Sequence, residues 1–262
     1  MTAPAPGVRA AGALEIHAVR GLPELRPGDD LAALVLAAVD RSALALRPWD
    51  VVVVTHKVVS KAEGRLVELD SVSPSAAAVE LAERTGGDPR LTEVVLGETR
   101  RVLRAGPGVL VCETVTGLVC ANAGVDRSNV PGTDTVTLLP RDPDGSAAAL
   151  RAAWLAAAGG GPLGVVVCDS FGRPFREAQV NVAIGVAGMP ALTDHRGLVD
   201  SSGQLMNASV LASADEIASA AELVMGKVDG VPVAVVRGLR WEGEGNGSAE
   251  LQRDPARDLF RT

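Results

Sequence analysis

The sequence predicts an α/β protein whose mixed β-sheets are covered by helices. Three observations carry this reading. Continuous valine-rich runs, "VVVV" at residues 51–54 and "GVVVC" at 164–168, have the length and patterning of strands buried on both faces. Segments with helical spacing of apolar residues alternate with them. The core-forming residues are aliphatic: 47% of the chain is hydrophobic, only 2% is aromatic, and tyrosine is absent.

Taken in order, residues 1–13 read as a flexible leader without the apolar centre of a secretory signal. "LEIHAV" reads as a strand, followed by a Pro/Gly-rich turn. Leu31, Leu34, Val35 and Ala38 then form one apolar helix face, with Asp29 or Asp30 as its cap. "DVVVV" is a buried strand running into a polar turn, "THKVVSKAEGR". "SPSAAAVELAERTGG" is a helix with a glycine stop, and a second short helix follows it. "GVLVCETVTGLVCANAG" reads as a hairpin, and "DGSAAALRAAWLAAAGG" as a helix with an Asp or Ser cap and a glycine end. The run "LGVVVCDS" is a strand that stops at Asp169. "DEIASAAELVMGKVDG" is a helix, "VPVAVVRGL" a strand, and residues 241–262 a linker-like tail.

A net charge of -7 and a pI near 5.1 argue against non-specific nucleic-acid binding. No apolar run reaches the roughly 18 residues of a membrane span. Cys112, Cys120 and Cys168 lie inside apolar runs and read as small buried hydrophobes. A cytoplasmic protein is the expectation.

The sequence contains no phosphate-loop, dinucleotide-binding or H-E-x-x-H motif. Four polar clusters remain. Asp169 and Ser170 offer a carboxylate and a hydroxyl suited to a hard cation, although a turn or helix cap is the simpler reading of those two alone. Asp126, between Asn122 and Asn129, reads equally well as a second carboxylate for that cation or as an Asx-turn residue. His56, Lys57, Ser60 and Lys61 follow a strand, where lysines can hold phosphate oxygens; a solvated basic turn is the alternative. Lys227 lies between Gly226 and Gly230 at a helix end, where Gly226 serves as terminator or as a point of close ligand approach. Together they fit a polyphosphate site with a metal.

Five blocks carry a resemblance: "GLPELRPGDDLA", "VSKAEGRLVEL", "CANAGVDRSNV", "DSFGRPFREAQVNVAIGVAG" and "AAELVMGKVDGVPVAVVRG". In this order they resemble the coenzyme F420:L-glutamate ligases, the γ-glutamyl ligase family, over residues 14–238, and the expected ligase domain is 14–240. The architecture expected is an intertwined two-lobed one. The resemblance implies GTP-dependent amide formation between L-glutamate and a phospholactyl-deazaflavin, with further γ-linked glutamates as an option. It implies Asp126, Asp169 and Ser170 as ligands of Mg²⁺ or Mn²⁺, with a monovalent cation as a further candidate. It places Leu22, Pro23, Glu24, Leu25, His56, Lys57, Lys61 and Asn129 at the nucleotide. Met225, Gly226, Lys227 and Gly230 form a second nucleotide-contacting piece. Lys61, Arg173 and Glu177 are the catalytic candidates, the latter two anchoring acidic substrates or orienting ligands.

Ser170 stands where the family commonly has threonine, Phe175 for tryptophan and Ala178 for glycine. A homodimer is expected by analogy. "DPARDLFRT" resembles the joint to a flavin-binding reductase domain of the two-domain actinobacterial form.

Overall fold

The computed structural model describes residues 7–130, 132 and 134–260; residues 1–6 of the expected leader and 261–262 of the expected tail lie outside the described residues. Its elements begin with β1 (Arg9–Val19), α1 (Leu31–Arg41), β2 (Val51–Thr55), α2 (His56–Ala62) and β3 (Leu66–Glu68). Next come α3 (Ala76–Thr85), α4 (Pro89–Gly97), β4 (Thr99–Gly106), β5 (Val109–Thr114), β6 (Val119–Ala121) and β7 (Thr135–Thr137). The chain continues through α5 (Pro143–Trp154), β8 (Gly164–Arg173), β9 (Arg176–Ala187), β10 (Thr193–Asp194), β11 (Val210–Leu211), α6 (Ser213–Met225) and β12 (Val233–Arg240).

The main sheet has five strands in the order β1-β12-β2-β8-β9. Only β2 and β8 run parallel; the other pairings are antiparallel, so the sheet is mixed. Alternation along the strands feeds two cores. Val52, Val54, Val165 and Val167 pack with α1 and α5 on one face. Val51, Val53, Val166 and Cys168 pack with α6 on the other. Both faces are covered, which explains why these strands read as unbroken apolar runs. A second lobe has its own core of Leu69, Val95, Leu110, Cys112, Val125 and Val136, built around the β4-β5-β6 sheet. The three cysteines are free and buried, as expected.

Helix caps follow from local chemistry. Asp30 accepts from the Ala33 amide, Ser75 from Ala78, and α3 stops at Gly86 with φ of 71°. α5 begins one turn earlier than its composition suggested. Pro143 takes its first position and Asp142 caps it through the Gly145 amide. That frees Asp144, which accepts from the amides of Val186 and Ser248 and ties the tail to the sheet.

Several expectations are corrected. The polar stretch after β2 is helix α2 rather than a turn, and residues 99–106 add strand β4, which the apolar pattern does not announce. β1 starts at Arg9, with Arg9 and Ala10 paired to Arg240 and Leu239, so order begins before residue 14. The first part of the tail is also packed: Trp241 is buried and its indole donates to the Gly188 carbonyl. β8 does not stop at Asp169. It continues to Arg173 and turns into β9, with Ser170 directly opposite Asn181. Phe175 and Ala178 in this hairpin both have positive φ (64° and 67°), a conformation glycine adopts at lower cost. Among the described residues no helix is long and apolar enough to cross a membrane.

One buried ion pair braces the entry to β2. Asp50, fully buried, receives two 2.8 Å hydrogen bonds from Arg237 of β12 and one from the Arg47 amide. Deleting one partner strands the other charge. Asp50→Ala is expected to cost about 3 kcal/mol in urea unfolding, and a loss below about 1 kcal/mol would show that Arg237 escapes to water.

Candidate active site

The parallel pairing of β2 with β8 sets the position of the site. Thr55 is aligned with Cys168, so the next residues, His56 and Asp169, emerge together where β2 ends and its pairing with β8 stops. Ligands of α/β sheets bind at this edge. His56 Nε2 lies 3.3 Å from Asp169 Oδ1, and His56 Nδ1 lies 3.3 Å from the Ser60 hydroxyl, one helical turn on. Lys57 and Lys61 repeat that spacing on α2 and so point to the same side.

A cleft of about 530 Å³ opens there. Leu22, Pro23, Glu24 and Leu25 form one wall; His56, Lys57 and Lys61 of α2, with Asp169 and Ser170 of β8, form the base. Asn129 and the loop carrying Met225, Gly226, Lys227 and Gly230 close the remaining side. Every residue expected at the nucleotide lines this one cleft. Asp126 is absent from its lining but is bonded to Lys57, which is part of it. Arg173 and Glu177 are not brought to the cleft. Arg173 instead donates to the Glu177 carbonyl at 2.5 Å within the β8–β9 hairpin, and both lie beyond the cleft lining.

The charges inside the cleft are mostly matched. Lys57 Nζ donates to Asp126 Oδ2 and to the Ser128 hydroxyl, each at 2.5 Å. Lys61 Nζ donates to Glu24 Oε1 at 2.5 Å. Burial pushes the Asp126 carboxyl up, but the hydrogen bonds from Lys57 and Ser128 outweigh it and hold the group below the ordinary carboxylate range. Asp169 behaves alike: burial raises it, while His56, the Ser170 amide and the charge of Lys57 together lower it further. Both carboxylates are therefore anionic near neutral pH.

The residues that composition alone did not single out are Asn181 and Glu222. Strand alternation turns Asp169 toward α2 and Ser170 toward α6. Lys227 Nζ donates to Ser170 Oγ (3.0 Å), Ser170 Oγ donates to Asn181 Oδ1 (2.8 Å), and Asn181 Nδ2 donates to Glu222 Oε2 (2.9 Å). The available signal was the polar alternation of Glu177, Gln179 and Asn181 on a strand whose later residues are apolar. Gly226, with φ of 58°, ends α6, and a Cβ there would stand 2.4 Å from the Asp229 carboxylate. Only glycine makes this turn without displacing Asp229, and the turn presents Lys227.

As a cation site, the donors are hard oxygens: the Asp169 carboxylate, the Ser170 hydroxyl and, across Lys57, the Asp126 carboxylate. Among the described residues no group of three or more His, Cys, Asp or Glu side chains converges on one point. The arrangement fits magnesium or manganese held by one or two carboxylates together with substrate phosphates, and does not fit an all-protein cage.

The F420-0:Gamma-glutamyl ligase family model matches residues 21–238. A coenzyme F420:L-glutamate ligase of Methanopyrus kandleri is 47% identical, over 91% of this chain and 94% of that protein. The protein of that name from Methanothermobacter thermautotrophicus is 43% identical over 95% of this chain and 99% of its own length. That of Haloarcula marismortui is 44% identical over 95% and 96%.

The Lys57–Asp126 bond yields a titration test. A carboxyl depressed in the folded state contributes stability that is present above its unfolded value, about 3.9, and is lost as pH falls through the folded value. Lys57→Met is expected to move the Asp126 titration upward by NMR and to remove its share of the acid-side stability loss. An unmoved Asp126 titration would mean that Ser128 alone holds the carboxylate.

Proposed function

The chain belongs to the F420-0:gamma-glutamyl ligase family, and from that premise we propose that it joins L-glutamate to a phospholactyl-deazaflavin by an amide bond, with GTP and a divalent cation. The observation that carries this reading is the gathering of Lys57, Lys61 and Lys227 with Asp169 and Ser170 around one cleft.

Amide formation from a carboxylate and an amine needs an activated acyl group. In this reading the γ-phosphate of GTP passes to the acceptor carboxylate, giving an acyl phosphate that the glutamate amine attacks while phosphate leaves. The chain supplies positioning and charge and forms no covalent bond of its own, in keeping with the absence of a nucleophile motif. Lys57, Lys61 and Lys227 meet the phosphate oxygens as point charges, exchanging their present carboxylate and hydroxyl partners for stronger anions. Asp169 and Ser170, with Asp126 behind Lys57, would hold the cation. Held there, magnesium or manganese would neutralise charge on the phosphate groups. Leu22 and Leu25 give the cleft an apolar wall that excludes water from the acyl phosphate.

The same reading includes a homodimer acting in the cytoplasm. Leu223 and Val228, 84% and 89% exposed near the cleft mouth, support a covering partner.

The test is an assay with GTP, manganese or magnesium, L-glutamate and the deazaflavin acceptor, read by mass spectrometry. A gain of one or more glutamyl units with GDP release is expected. GDP release indifferent to glutamate and acceptor would point instead to a metal-dependent phosphotransferase or hydrolase. Asp169→Asn is expected to lower turnover by roughly 10²–10³ with unfolding unchanged; near-normal turnover would remove Asp169 from the cation site.

A further inference from the structure

The charges of the cleft form a nearly closed set. Lys61 is countered by Glu24 and Lys57 by Asp126, while Asp169 lies 3.3 Å from His56 and accepts from the Ser170 amide. Among the described residues, the charges that line the cleft with neither an oppositely charged side chain nor a histidine within 4.0 Å are Lys227 and Glu222. These two are the ends of the hydrogen-bonded chain through Ser170 and Asn181. Each link has a fixed sense, because an ammonium can only donate and a carboxylate can only accept. The Asn181 amide is thereby locked with its oxygen toward Ser170 and its nitrogen toward Glu222, a lock reinforced by its place directly opposite Ser170 in the sheet.

We propose that Glu222 is the seat of the incoming amino group: its carboxylate receives the ammonium of L-glutamate beside the phosphate-binding end of the cleft. This rests on the ligase reading above. Four observations favour it over a solvated helix glutamate. The side chain is part of the cleft wall, and Oε2 is held by Asn181, which is itself 3% exposed. No Lys or Arg among the described residues answers its charge. The other acids of α6 are occupied elsewhere or lie at its start, Asp215 accepting from the Ala183 amide. A carboxylate so placed is complementary to a cation with several N–H donors, and an ammonium fits without the full ligand shell a metal requires. The position also suits the chemistry. The nitrogen attacks as the free amine, so one ammonium proton passes to the Glu222 carboxylate as the C–N bond forms and phosphate leaves. Glu222 is tied through Asn181 to Ser170, at the phosphate-binding end of the cleft, which keeps that nitrogen near the activated carbonyl.

The experiment compares L-glutamate with glutarate, the same dicarboxylate without the amine. In the wild-type enzyme, KM for glutamate and the inhibition constant of glutarate are measured with GTP and manganese. In Glu222→Gln the preference for glutamate over glutarate is expected to collapse by about 10- to 100-fold, the worth of one hydrogen bond to a charged group. The KM for GTP and the manganese activation constant should stay within about twofold. Glu222→Asp, which keeps the charge one methylene back, should retain part of the preference and serves if the glutamine variant folds poorly. An unchanged preference overturns the subsite, as does a change confined to manganese activation, which would make Glu222 a cation ligand. A wild-type enzyme that releases GDP but transfers no glutamate overturns the ligase reading itself, and the subsite falls with it. Transfer by the wild type with an unchanged preference in Glu222→Gln overturns the subsite alone.

Discussion

The register of β2 against β8 is the constraint from which the site follows. Four consecutive valines in β2, all fully buried, lie beside Val165, Val166 and Val167, and packing on both faces fixes their pairing. A slip of one residue would turn Val52 and Val54 toward α6 and shift the strand ends by about 3.3 Å. His56 would then no longer meet Asp169, and α2 would carry Lys57 and Lys61 away from the β8 edge. The chemistry of the cleft is therefore held by apolar packing several residues upstream of it. Neither end of this arrangement contributes much stability of its own. Partly buried ion pairs such as Lys57–Asp126 barely offset their desolvation, so they are better understood as positioning devices.

That view explains why the cleft pairs so many opposite charges. Unpaired, Lys57 and Lys61 would wander or repel each other. Tying Lys57 to Asp126 and Ser128, and Lys61 to Glu24, fixes both side chains before the ligand arrives and limits the entropy lost on binding. Glu24 is well exposed and can swing away, whereas Asp126 is held in place by Lys57 and Ser128. The two lysines therefore differ: Lys61 is paired with an exposed carboxylate, Lys57 with one that a second hydrogen bond holds.

The sheet strands and most helices were legible because their periods are clear: continuous apolar runs for doubly buried strands, side-chain-capped amphipathic stretches for α1 and α3, and an amphipathic stretch ended by Gly226 for α6. The failures have physical causes. α2 is only seven residues, contains adjacent β-branched Val58 and Val59, and has no side-chain cap bond from Thr55, so nothing local announces a helix. β4 carries Arg100, Arg101 and Arg104 on exposed positions of a sheet-edge strand and resembles a basic loop. β8 beyond Asp169 leaves the core and becomes polar, which disguises it as the end of a strand. For the site, the residues expected at the nucleotide gather at one cleft with Asp169 and Ser170, Asp126 meets it only through Lys57, and Arg173 and Glu177 do not line it. Asn181 and Glu222 stayed hidden because their meaning lies in a cross-strand register and a helix face that only the fold brings together.

The direction of the hydrogen bonds adds a final step. Ser170 uses its only proton on Asn181, so toward the cleft its oxygen can offer nothing but lone pairs. One accepts from Lys227. Threonine would serve equally, which is why the departure from the common residue at this position costs no chemical function. The amide of Asn181 is harder to replace. An aspartate there would set a second carboxylate against Glu222, and a leucine of similar size would leave Ser170 free to rotate its proton into the cleft. The geometry that makes Ser170 an acceptor and leaves Glu222 without a cationic partner thus depends on one buried amide.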